Sequence, residues 1–205
     1  MQANINATRM ELLRLRRRVG LAQRGHKLLS DKRDEISRQL IQISKQLGTL
    51  RKEVEKELVE TSRRFVIARA TMEPENIKSA MDVPTKKFSL AVSFASIMSV
   101  KVPRFTKDIE GEIISYGFAN TSGELDIALK GLEKAFDRLL ELAEKEKQAQ
   151  LLADELQKTR RRVNVLEHVV IPELEQMIRF IYAKLAEAER DNISRLIKIA
   201  DIIRA

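Results

Sequence analysis

The stretch ELLRLRRRVGLAQRGHKLLSDKRDEISRQLIQISKQLGTLRKEV (residues 11–54) decides the reading of the chain. Apolar or small residues recur at Leu12, Leu15, Val19, Ala22, Leu29, Ile36, Leu40, Ile43, Leu47, Leu50 and Val54, with His26 and Arg33 taking their turns in the register. Steps of three and four residues place them on one stripe of a helix. A stripe this long outruns the ~20 residues of an ordinary globular helix and specifies a coiled-coil seam. After Val54 the phase slips by one position, and the stripe continues through Leu58, Thr61, Phe65, Ala68 and Met72. At ~1.5 Å per residue, a helix over residues 5–72 would be roughly 100 Å long.

The C-terminal part repeats the pattern. From Glu124 the stripe runs through Leu125, Leu129, Leu132, Phe136, Leu139, Ala143, Ala149, Ala153, Leu156, Val163, Leu166 and Val170. It goes on through Leu174, Met177, Ile181, Leu185, Ala188, Asn192, Leu196, Ile199 and Ile203, with a spacing close to an eleven-residue period. Such a period lets helices run nearly straight, whereas heptads favour left-handed winding. Pro172 lacks a backbone donor and is expected to bend or loosen this helix.

Between the two stripes the period changes. Residues 73–87 read as irregular or partly helical. Phe88, Leu90, Val92, Phe94, Met98, Val100 and Val102 then share one parity, opposite small or polar residues, which predicts a strand with one buried face. Residues 112–118 (EIISYGF) are the expected return strand, through Ile114, Tyr116 and Phe118, with Asp108–Gly111 at the turn. Thr121 or Ser122 is the candidate N-cap of the helix that follows.

The fold expected is mainly α: a long antiparallel two-helix coiled coil with a short β-hairpin in the middle. Its parts are an N-terminal helix over 1–72, a middle insert over 73–123 and a C-terminal helix over 124–205. If Met72 lies near Glu124 and Ile5 near Ala200, Arg33 falls near Glu167, either as a cross-helix ion pair or as two solvated charges.

Composition narrows the function. Seven glycines and four prolines in 205 residues are too few for a many-turned β-sandwich or barrel. The absence of Cys excludes a disulfide scaffold, a thiolate metal site and a Cys nucleophile. The longest uncharged run, Phe88–Val100, is shorter than the ~20 residues that span a bilayer. MQANINATRMELLRLRRR at the start has no apolar core, so a signal peptide is not expected, and the expected compartment is the cytoplasm. The formal net charge of +8 points to acidic partner surfaces.

No catalytic constellation stands out. Residues 20–27, GLAQRGHK, resemble a phosphate loop, but the Lys is one place late, no Ser or Thr follows it and no strand precedes it. Gly20 and Gly25 instead suggest close approach by a neighbouring helix or surface. His26 and His168 would stand roughly 9 Å apart along the axis, too far to share a metal without further ligands. No metal, cofactor or catalytic role is expected. The acidic residues fall in mixed-charge runs of solvated helix.

The basic residues do cluster. Arg9, Arg14, Arg16, Arg17, Arg18, Arg24 and Lys27 form one group, Arg160, Arg161 and Arg162 a second, and Arg190, Arg195, Lys198 and Arg204 a third. In an antiparallel hairpin the first and third meet at one cationic tip. One reading is nucleic-acid binding by a basic scaffold. It lacks interleaved aromatics for base stacking and a zipper-plus-basic-region layout. The other is a protein socket of complementary charge.

At KTRRRVNVLEHVVIPELEQMIRFI (158–181) the chain resembles the D subunit of the A/V-type rotary ATPases, the central rotor shaft. Thr159, Arg160, Arg161, Arg162, Val163, Asn164, Leu166, Glu167, Ile171 and Pro172 fit the family pattern, and Val165 replaces its usual Ala. TRMELLRLRRRVGLAQRGHKLLSDKRDEI (8–36), IMSVKVP (97–103) and ERDNISRLIKI (189–199) also fit. Ser30 stands where the family commonly has Lys, and Ala7 where it has Pro. The resemblance implies a non-catalytic stalk subunit whose paired termini enter a ring of catalytic and regulatory subunits, with Arg9, Arg14, Arg16, Arg17, Arg18, Arg24, Arg190, Arg195 and Lys198 at that interface. It also implies a funnel-shaped subunit that caps the membrane rotor ring at the other end, the small central-stalk F subunit on the side, and a hairpin able to influence activity. Neither nucleic acid nor direct membrane insertion is implied. The location implied is cytoplasmic, peripheral to the membrane.

Overall fold

A computed structural model describes residues 6–82, 85–117 and 121–204. The elements in chain order are α1 (Arg9–Thr71), α2 (Pro74–Met81), β1 (Lys87–Ile97), β2 (Val100–Glu110), α3 (Gly123–Val165), a π-helical turn (Leu166–Val170) and α4 (Ile171–Arg204). The protein is therefore mainly α, with long helices before and after a β-hairpin in the chain. The chain divides into two compact units. One holds the residues up to Glu35 and those from Leu156 on; the other is Ile36–Glu155.

In the first unit, α1 and α4 run antiparallel around Leu15, Leu174 and Ile181, with Leu12, Val19, Ala22, Val170, Met177, Ile178 and Leu185 packed against them. These are positions of the predicted stripes, Ile178 apart, so burial of one stripe on the other holds the helices together. Thr8 starts α1: its Oγ1 accepts the Glu11 N–H at 3.2 Å and satisfies a donor with no partner inside the helix. Glu167 lies opposite His26, at 3.4 Å, and not opposite Arg33. Arg33 instead binds Asp34 at 2.8 Å and Ser30 at 3.1 Å. At this level the expected register is thus off by seven residues, about two helical turns, whereas Met72 does lie close to Glu124, its sulfur accepting the Ser122 N–H at 3.3 Å.

Pro172 does not break the helix. Just before it the chain widens into the π turn, where Ile171 N–H bonds to Leu166 O. A proline ring collides with the carbonyl four residues earlier in a regular helix. A widened turn supplies room, so the strain is absorbed within one turn and α4 continues.

In the second unit, the rest of α1 faces α3. Ile36, Val54, Ala68, Leu125, Ala128, Ala135 and Leu152 are buried. Ion pairs fix the register: Arg64 to Glu124 at 3.2 Å, and Arg138 to Glu53 at 3.2 Å and Glu57 at 3.0 Å. Of the two candidate caps, Ser122 serves: its Oγ accepts the Glu124 N–H at 3.3 Å. Thr121 donates to Gly117 O at 3.1 Å.

The hairpin differs from expectation. The alternation over 88–102 is not one strand but parts of two, β1 and β2, paired antiparallel with Ile97 opposite Val100. Met98 (φ 51) and Ser99 (φ 67) form the two-residue turn, both left-handed as a type I′ turn requires. The partner of β1 is therefore 100–110, and 112–117 form no strand; Phe118 lies outside the described residues. Asp108 to Glu110 belong to β2 and not to a turn. The pairing sets even-numbered residues of β1 opposite odd-numbered residues of β2. Val100 and Val102 thus lie on the face opposite Phe88, Leu90, Val92 and Phe94, and Val102 is fully buried while Phe94 is 72% exposed.

The hairpin leans on α3. Phe88 meets Phe136 edge to face at 4.9 Å, and Lys107 pairs with Asp137 at 2.5 Å. Lys86 pairs with Glu133, and Phe105 N–H donates to Glu144 at 2.9 Å.

Candidate functional site

The end of the first unit concentrates exposed cations and exposed apolar side chains. α1 begins at Arg9, whose guanidinium binds Glu189 at 2.6 Å. That contact sets Arg190 level with the first turn of α1, so of the third basic cluster only Arg190 is brought to the first. Arg195 and Lys198 lie further along α4. Every described residue from Glu187 to Arg204 is exposed. The expectation that Leu196, Ile199 and Ile203 bury on the N-terminal helix does not hold, because α1 starts opposite Glu189. Ile5, expected near Ala200, lies outside the described residues.

This leaves an open seam. Ile193, Leu196, Ile197, Ile199, Ile202 and Ile203 are all more than half exposed. A second open stripe runs along α1: Met10, Arg14, Arg17, Leu21, Arg24 and Leu28, at alternating steps of four and three. Its Met10 is 80% exposed, and with Leu13, Leu21, Arg14, Arg17 and Arg18 it lines a shallow groove of ≈ 500 Å³. The arginines hid this stripe from the reading of the sequence; its helical spacing is the signal that would have found it.

The cations are held loosely. Arg14 reaches Glu11 at 3.6 Å, and Arg24 Nε donates to Gly20 O at 3.3 Å. Among the described residues, Arg16, Arg17, Arg18, Arg190, Arg195 and Lys198 make no ion pair within the chain. Successive helical residues are turned by about 100°, so Arg16, Arg17 and Arg18 fan around α1, with Leu15 and Val19 between them and α4.

The other singled-out residues lie elsewhere. Arg160, Arg161, Arg162 and Asn164 are exposed near the end of α3, Glu167 lies within the π turn, and Pro172 follows it at the start of α4. Thr159 in the same motif is fully buried, and its hydroxyl has no hydrogen-bond partner. Residues 20–27 are uninterrupted α-helix, so their amides are engaged along the helix and cannot cradle a phosphate. A Cβ at Gly20 or Gly25 would meet nothing within 4 Å, so neither glycine is required by a contact within the chain. His26 and His168 are closer in level than expected, since Glu167 itself faces His26. Among the described residues no group of three or more His, Asp or Glu is placed to hold a metal. No described helix is long and apolar enough to cross a membrane.

A family model for the D subunit of ATP synthase matches residues 11–201. The V-type ATP synthase D subunit of Clostridium novyi (strain NT) is 48% identical, over 98% of this chain and 95% of that one. That of Clostridium botulinum (strain Langeland) is 49% identical, over 99% and 96%. That of Acetivibrio thermocellus is also 49% identical, over 97% and 91%. With open helical stripes at one end and close similarity along its whole length, the chain belongs to the ATP synthase D-subunit family of the A/V-type ATPases.

Proposed function

We propose that this chain is the non-catalytic central rotor of an A/V-type ATPase or ATP synthase, coupling ATP turnover in a catalytic ring to rotation of a membrane ion-translocating ring. Its N- and C-terminal helices form the shaft, and residues 73–123 the insert. The carrying observation is the end of α4, whose apolar seam stays open although Leu174 and Ile181 earlier in the same helix are buried. Burial of one isoleucine is worth about 1.5–3 kcal/mol, whereas an exposed ion pair is worth about 0–1 kcal/mol. The open seam therefore supplies contact with the ring of catalytic and regulatory subunits. Arg9, Arg14, Arg16, Arg17, Arg18, Arg24, Arg190, Arg195 and Lys198 orient the shaft within it.

A shaft that is not itself threefold meets three different neighbours in a pseudo-threefold ring. Each angle then favours a different set of nucleotide states. Torque is this coupling free energy between shaft angle and nucleotide state, and it acts in both directions. The other end seats on the funnel-shaped subunit above the membrane ring, and the small F subunit binds at the side. The location is peripheral, on the cytoplasmic face. Apolar residues interleaved with arginines suit a protein socket better than a nucleic-acid backbone, which needs cations alone.

The test is reversal of Arg16, Arg17 and Arg18 to Glu in the assembled complex. The expected result is weakened assembly or uncoupled ATP turnover, with helix content of the free chain unchanged by circular dichroism. Unchanged assembly and coupled turnover would refute the role given to this end.

A further inference from the structure

In the hairpin, Val92 stands opposite Phe105. Phe105 gives its N–H to Glu144, at 2.9 Å, and not to Val92. The two are therefore a non-hydrogen-bonded pair. Alternation along the ladder then turns the N–H and C=O groups of Phe88, Leu90, Val92, Phe94 and Ser96 away from β2, along the outer edge of β1.

The two edges of the hairpin are treated differently. On β2 the two central outward positions are closed: Pro103 has no N–H and is buried, and the Phe105 N–H is taken by Glu144. On β1 every residue from Lys87 to Phe94 is exposed. Exposed edges are ordinarily blunted by charge, proline, a bulge or shortness. β1 is 11 residues long, and beyond Lys87 it carries no charge and no proline, in a chain that is 33% charged.

We infer that the outer edge of β1 is a strand-docking site, taking an extended, uncharged segment flanked by acidic residues from another component of the ATPase assembly. The choice of source rests on the rotor reading; the site itself goes beyond it. Only a strand matches a row of alternating outward donors and acceptors. Bulky apolar side chains of the docked segment stand beside Phe88, Leu90, Val92 and Phe94 on one face, and small or hydroxyl side chains beside Ser89, Ala91 and Ser93 on the other. Residues 86–110 hold five basic and two acidic side chains. Two copies of the hairpin would repel each other, whereas acidic flanks on a different chain complement it.

The test is residue-resolved amide exchange on the free full-length chain and on the purified complex. In the free chain, Leu90, Val92 and Phe94 amides should exchange fast while Ala91 and Ser93 are held by β2. In the complex the outward set should slow by on the order of 100-fold, as for amides freed only by opening of a docked strand. Leu90→Pro removes one outward N–H, and Leu90→Lys puts a charge on the apolar row. Both should abolish that slowing, while continued protection of Ala91 and Ser93 reports a folded hairpin. An assembled complex with fast outward amides overturns the inference. So does protection in the free chain that rises with concentration, which assigns the edge to a second copy. Failure to assemble with the ATPase at all overturns the rotor reading, and the proposed source with it.

Discussion

Gly111 closes β2 with φ +89, and a Cβ there would lie 2.5 Å from the Thr85 carbonyl oxygen. Backbone cannot retreat as a flexible side chain does, so Gly111→Ala should lower stability by about 1–3 kcal/mol, read as an earlier denaturation midpoint. Thr159 presents the opposite case. Its buried hydroxyl has no partner, so Thr159→Val should raise stability by about 1–2 kcal/mol in the same assay. Tyr116 carries a pH dependence. Burial first, and then the O–H it donates to Asp126 at 2.6 Å, hold its phenol above the usual 10.0. A group bound more tightly to its proton when folded contributes stability that is whole below the unfolded value and is lost as pH rises through the folded one. Above pH 10 the wild-type chain should therefore lose stability more steeply than Tyr116→Phe, as measured by denaturation at stepped pH.

At the scale of elements, the β-hairpin turn is the strained one. Met98 and Ser99 both sit at positive φ, a conformation that costs a residue with a Cβ about 1–2 kcal/mol. Replacing them by Asn-Gly should relieve most of this and slow exchange of the hairpin amides; unchanged exchange would mean that the turn is not the weak point. The same turn explains what the sequence concealed. Met-Ser is not a pair that favours the two positive φ angles of a type I′ turn, and alternation of large and small residues ran through it without a break, so two strands read as one. Asp108–Gly111 looked like a turn and is mostly strand. The helices were legible because burial on a partner helix imposes a period that no other force masks. Their register was legible at Met72, which lies beside Ser122, and not at the chain ends, since matching them assumed that both helices end together, and α4 runs on past the start of α1. Nor does sequence alone announce a π turn: Pro172 showed that the helix had a problem to solve, not how it was solved.

For the molecule as a whole, the decisive feature is what the chain leaves open. An apolar seam on α4 and an Arg-interleaved stripe on α1 are suited to meet something outside the chain, and the chain's family is one whose members are ATP synthase subunits. The cationic clusters at this end were legible from the sequence; the open seam was not, because its spacing continues that of the closed seam without change. Paired substitution Leu196→Ser with Ile199→Ser should weaken docking into the ring by about 2 kcal/mol or more. Loss of Arg190 alone should change chiefly the association rate and its salt dependence. Titration of the ring with labelled chain at two ionic strengths separates the two effects. The most direct measurement is rotation itself. The chain has no cysteine, so Ser62→Cys gives a single labelling point for a bead, with the catalytic ring fixed to a surface. The rotor account predicts unidirectional turning of the bead under ATP, with pauses in a threefold pattern. A bead that stays still while the same complexes hydrolyse ATP would contradict it.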